Sequence, residues 1–159
     1  MAYKYFSDIE NKGLKLKDYS NDPNFTPSKG CILKYIPLKE TKLFSIKWEG
    51  FESTLNDGSG NALTYLGHVI GHEGKNSLLS KLIKIGLATN LMAGPSNRLQ
   101  NTKCGFYIDI TLTELGQTEN GLFEVLRITF AFINKLRRTG PKQFYIDEIS
   151  KKKAREFYY

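Results

Sequence analysis

The chain has 159 residues, 40% of them hydrophobic and 13% aromatic, enough for one domain with a buried core. It has no apolar run long enough to cross a bilayer, and its opening MAYKYFSDIE lacks the continuous apolar stretch of a signal peptide, so no membrane partner is expected. Its 23 Lys and Arg against 16 Asp and Glu give a net charge of +7, and Cys31 and Cys104 are its only cysteines. Such sparse cysteine usage reads as reduced thiols in a cytoplasmic protein rather than as a disulfide framework.

Residues 1–10 are short and amphipathic, with no independent fold expected, and residues 11–30 are rich in Lys, Asn, Asp, Pro and Gly. The run NDPNFTPSKG is turn-prone, so residues 11–30 read as an interdomain linker. CILKYIP at 31–37 and KLFSIKW at 42–48 are consecutive apolar runs joined by LKET, a spacing that fits an antiparallel hairpin or neighbouring strands. Ile32, Leu33, Tyr35 and Ile36 are core candidates, as are Leu43, Phe44, Ile46 and Trp48. EGFESTLNDGSG then reads as an exposed turn-rich segment.

In NALTYLGHVIGHEGKNSLLS, at 61–80, the residues Ala62, Leu63, Leu66, Val69 and Ile70 recur at helical spacing and predict one core-facing stripe. Asn61 can cap the start, and Gly71 and Gly74 should end the helix near Glu73. A second helix, carrying Leu78, Leu79, Leu82 and Ile83, is expected behind Ser77 and should stop at Gly86. His68 and His72 stand at i and i+4, the helical spacing of zinc ligands in metalloproteases. In HExxH and in its inverted form HxxEH the glutamate lies roughly 60 to 100° around the helix from the histidines, counting about 100° per residue. Glu73 follows both histidines beside helix-breaking glycines, so it does not place a general base against a metal-bound water. Any third ligand would have to be Cys31, Cys104 or a carboxylate, and on residue chemistry alone the pair reads as two polar imidazoles on a helix face.

LATNLMAG begins an extended run, SNRLQNTK reads as an exposed turn, and CGFYIDITLTEL alternates Phe106, Ile108, Ile110 and Leu112 against Tyr107, Asp109, Thr111 and Thr113. That alternation predicts a half-buried strand hairpinned to LMAG. Thr118 can cap a long helix with the stripe Leu122, Val125, Leu126, Thr129, Phe130, Ile133 and Leu136, and Gly140 and Pro141 separate it from a final helix over about 142–157. The predicted order is β-β-α-α-β-β-α-α, an α+β layer with helices covering an antiparallel sheet. The basic residues gather late, at Lys135, Arg137, Arg138 and Lys142 and again at Lys151, Lys152, Lys153 and Arg155. A nucleic-acid module is the alternative that this charge suggests, but Phe123, Phe130 and Phe132 sit within an apolar helix instead of alternating with lysines on a sheet, and no recognisable module is present.

HVIGHEGKNSLLSKLIKIGLATNLMAGPS resembles the second, non-catalytic domain of the insulinase family of inverted-motif zinc metallopeptidases. The resemblance extends back through FSDIENKGLKLKDYSNDPNFTPSKGCILKYIPLKETKLFSIKW and forward to EVLRITFAFINKLRRTGPKQFYIDEI, nearly the whole chain. It implies that residues 1–30 are the tail of a preceding domain with its linker, and that 31–159 are a truncated second domain. It also implies a parent zinc metalloendopeptidase whose zinc is bound by the first domain, with no cofactor, metal ligand or catalytic residue in this chain, which contains no HxxEH. The family's second domain carries an exosite that holds the amino end of a bound peptide as an added strand. Its residues correspond here to His68, Gly71 and Glu73 at the helix end and to Leu91, Met92, Ala93 and Gly94 in the strand. The chain departs from the family pattern at Ala93, often glycine, and at Met92, often valine. Implied partners are peptide substrates and the remaining domains of the protease, with self-association at any bare sheet edge; neither membrane nor nucleic acid is expected. A purely structural, inactive family domain is a further alternative.

Overall fold

The structure, a computed structural model, describes residues 8–10, 12–15, 30–52, 59–96 and 103–158. Within them the chain forms β1 (Leu43–Glu52), α1 (Ser59–Ile70), α2 (Leu78–Lys84), β2 (Ala88–Ser96), β3 (Lys103–Leu112), α3 (Glu114–Gln117), α4 (Glu119–Thr139) and α5 (Gln143–Tyr158). The three strands make an antiparallel sheet in the order β1-β3-β2. This is the α+β arrangement expected, helices with an open antiparallel sheet.

β3 is central because its alternation is the cleanest in the chain. Phe106, Ile108, Ile110 and Leu112 are all buried, and Phe44, Ile46 and Trp48 of β1 pack on the same cluster. Leu78, Leu79 and Leu82 of α2 and Val125 and Ile128 of α4 close that core. On the opposite face the pairing is polar, and the Ser45 hydroxyl donates to Asp109 Oδ1 at 2.6 Å.

The helix starts follow from local side-chain chemistry. Ser77 Oγ accepts from the Ser80 N–H at 3.0 Å, and Thr118 Oγ1 accepts from the Gly121 N–H at 3.0 Å, each satisfying an amide that the first helical turn leaves without a partner. Gly86, with φ at +74°, ends α2 in a conformation that side chains with a Cβ resist, and it turns the chain directly into β2. Gly140, with φ at +68°, makes the corresponding break between α4 and α5.

Several expectations are corrected. Residues 31–37 form no strand, and Ile32, Leu33, Tyr35 and Ile36 are exposed, so the leading hairpin and these core positions are absent. The apolar residues there come as adjacent pairs that would face both sides of a strand. Such a run needs cover on two faces, which the described residues do not supply. Leu43 is exposed because the period of two turns it away from Phe44. α1 begins at Ser59, so Asn61 lies inside the first turn instead of capping it, and the helix ends at Ile70, short of Glu73. Ala62 and Leu66 are exposed, whereas Val69 and Ile70 of the same stripe are buried.

In α4, Ile128 takes the core position and Phe130 is half exposed, its ring edge-on to Trp48 at 6.3 Å between centroids. α3 is an extra turn capped by Thr113, whose Oγ1 accepts from the Gly116 N–H at 3.0 Å. The expected exposed segments lie partly outside the described residues, at 53–58 and 97–102. Most of the expected linker, 11 and 16–29, also lies outside them.

Candidate functional site

The C-terminal half of α1 lies directly on β2. The contact is backbone to backbone: a Cβ built on Gly67 would stand 2.9 Å from Gly94 Cα and 3.0 Å from the Ala93 carbonyl oxygen. Only a residue without a side chain lets the helix approach the strand this closely. Gly67 is not among the site residues that the sequence indicates, where the glycines are Gly71 and Gly94. A Cβ on Gly71 would stand 2.9 Å from the Gly67 carbonyl oxygen, closer than the helix end allows, and would meet the Ala93 backbone at 3.6 to 3.8 Å, so the space over Gly71 is bounded by the helix and by the strand.

The residues expected to act together divide by exposure. Leu91 is buried in the core and Gly94 is buried beside Tyr107, so neither offers a side chain to solvent. Ala93 packs against the core from a half-buried position, and Met92, on the other face, is 59% exposed. Glu73 is exposed in the turn that follows α1. β2 is an edge strand: among the described residues its only strand partner is β3, paired from Ala88↔Leu112 to Ser96↔Gly105. An edge of this kind leaves a row of backbone donors and acceptors available to an added strand. The helix end and the LMAG strand are therefore neighbours, joined at Gly67.

The two histidines are held by groups that no sequence pattern indicated. His68 Nε2 lies 3.0 Å from Glu148 Oε2 of α5. His72 Nδ1 accepts from the Gly74 N–H at 2.9 Å, so in its neutral form this ring carries its proton on Nε2. The Tyr145 ring stands edge-on to both imidazoles, 5.9 Å from His68 and 5.8 Å from His72. Tyr65 completes the cluster at 6.4 Å from Tyr145, and its hydroxyl accepts from the Lys142 N–H at 2.9 Å. With Nδ1 accepting the Gly74 N–H and the proton on Nε2, the His72 ring has no spare lone pair for a zinc ion. The two ring centroids are 6.3 Å apart, and the described residues hold no group of three His, Cys, Asp or Glu side chains that could hold a metal.

A second feature lies on the other side of α5. An apolar cavity of about 1060 Å³ opens between β1, α1, α4 and α5, lined by Trp48, Leu66, Phe106, Leu136 and Ile149, with Arg137 and Lys153 also at its wall. The basic residues Lys151, Lys152, Lys153 and Arg155 are exposed on α5. No helix among the described residues is long and apolar enough to cross a membrane.

A core of β3 flanked by two strands, with a helix end seated on an edge strand, is the frame onto which family membership can be read. The chain belongs to the family described as the peptidase M16 inactive domain, which matches residues 1–153. It is 34% identical over 152 residues to the insulin-degrading enzyme of Drosophila melanogaster, covering 95% of this chain and 15% of that protein. Nardilysin of Rattus norvegicus is 31% identical over 159 residues, covering 97% of this chain and 13% of the relative. The peroxisomal insulin-degrading enzyme-like 1 of Arabidopsis thaliana is 30% identical, covering 100% and 16%. Among solved structures, pitrilysin superposes with a TM-score of 0.65 at 19% identity over 92% of this chain and 15% of that one. The chain thus spans about a sixth of the length of these relatives or less.

Proposed function

We propose that this chain is the peptide-holding, non-catalytic domain of an insulinase-type zinc metalloendopeptidase, and that it anchors the amino end of a peptide while cleavage takes place on another domain. Glu73 supplies the negative charge for the peptide's ammonium group, and the free edge of β2 at Met92 and Ala93 supplies backbone pairing. Backbone pairing demands no particular sequence, so it suits a peptidase of broad preference. Zinc held by another domain of the parent enzyme would supply the activation of water for hydrolysis. The residues of this chain supply orientation and retention.

The observation that supports the reading is the backbone contact of Gly67 with Ala93 and Gly94, which brings the end of α1 against β2, a strand whose outer edge has no strand partner among the described residues. His68, Gly71, Leu91 and Gly94 then shape the site from beneath. Glu73, Met92 and the Ala93 backbone meet the ligand.

The test is a titration of one peptide in two forms, with a free and with an acetylated amino end, against wild type and Glu73→Gln. The expected result is that wild type binds the free form about tenfold more tightly, as befits one charge-assisted hydrogen bond, and that the substitution removes the preference. Equal binding of both forms by wild type would remove the carboxylate from the site.

A further inference from the structure

Glu73 is exposed in the turn that follows α1, and the residues on both sides of it are tied down. His72 folds its ring back over the chain so that Nδ1 takes the Gly74 N–H at 2.9 Å, closing a loop of three residues around Glu73. That fold-back requires glycine at 74, since a Cβ there would stand 2.3 Å from His72 Cε1 and 2.9 Å from Nδ1. The ring is held from its other side by Tyr145 of α5, edge-on at 5.8 Å between centroids. Tyr145 touches His68 in the same way at 5.9 Å, and Glu148, one turn further along α5, fixes His68 at 3.0 Å. Tyr65 and the Lys142 amide brace the start of α5 against α1.

We propose that Tyr145 is a positioning residue for the peptide-holding site: from α5 it fixes the His72 ring, that ring fixes the Gly74 amide, and the two together set the place of the Glu73 carboxylate. Tyr145 itself touches no ligand. Its effect is to convert a mobile carboxylate into a preorganised one, which lowers the ordering cost of binding. The proposal rests on the reading of Glu73 as the ammonium partner. It adds that an element more than sixty residues further along the chain controls that contact through aromatic packing.

The experiment uses the same pair of peptides, free and acetylated, with wild type, Tyr145→Ala, Tyr145→Phe and Gly74→Ala, and records the ring nitrogen shifts of His72 by NMR. Tyr145→Ala and Gly74→Ala are expected to reduce the roughly tenfold preference for the free end to about twofold, with binding of the acetylated peptide unchanged. Tyr145→Phe retains the ring edge and keeps the preference. In wild type the unprotonated nitrogen of His72 is Nδ1, and in Tyr145→Ala and Gly74→Ala the signature of its hydrogen bond is lost. A wild type that prefers the free end together with a Tyr145→Ala variant that keeps the full preference overturns the positioning role and leaves the Glu73 reading standing. A wild type with no preference overturns both. Equal loss of binding for the two peptide forms in Tyr145→Ala also overturns the proposal, because it reports general damage to the fold.

Discussion

Two apolar runs of similar composition end in opposite places. In residues 87–91, Leu87, Ala88 and Leu91 are buried, whereas in residues 31–38 Ile36 is 98% exposed and Ile32 and Leu33 are 83% exposed. The difference is not hydrophobicity. The first run is delivered by a fixed turn: the Leu87 N–H donates to the Leu82 carbonyl at 3.0 Å, and the Leu87 carbonyl accepts from the Thr113 N–H at 3.1 Å. It then enters a registered ladder with β3 beneath a helix. The second run has neither ladder nor helical cover among the described residues. An apolar run becomes core only where hydrogen-bonded neighbours fix which side of it faces inward.

Substitutions at the two runs and their neighbours break or sharpen that contrast. Ile108→Ala in the centre of β3 is expected to cost about 2 to 5 kcal/mol, while Ile36→Ala costs less than about 0.5 kcal/mol, as read from denaturant unfolding. A cost at Ile36 comparable with that at Ile108 would mean that the first run is covered in solution. Gly67→Ala, which drives a Cβ into the Gly94 backbone, is expected to cost about 1 to 3 kcal/mol and to weaken both peptide forms. Thr129 is fully buried with no hydrogen-bond partner for its hydroxyl among the described residues, so Thr129→Val is expected to raise stability by about 1 kcal/mol in the same assay.

The smallest effect is at Lys42, where the exposed segment meets the packed body through an ion pair with Glu114. The Glu114 carboxylate raises the Lys42 amine above its ordinary 10.5. Because the folded value is the higher one, the stabilisation is fully present below 10.5 and is lost as pH rises through the raised value. Lys42→Met should remove this alkaline dependence, and high salt should mask the difference between the two proteins.

What could be read in the residues was whatever depends on near neighbours. The alternation in β3, the helix start behind Ser77, the cap at Thr118, and the stops at Gly86 and Gly140 are each set within a few residues, and each is present. The helix-end and strand residues of the candidate site were legible through their resemblance to a family. Their support was not. Tyr145 and Glu148 form no pattern with His68 and His72, since only the packing of α5 on α1 brings them together. Gly67 looked like one more small residue in a helix until β2 lay against it.

The linear chain therefore determined the strands and helices that their own hydrogen bonds and periodicity select, and the family to which they belong. Tertiary structure alone decided which apolar run is covered, which glycine admits a neighbouring backbone, and which aromatic ring stands against His72. Those outcomes depend on contacts between residues far apart in sequence, where no local spacing constrains the partner.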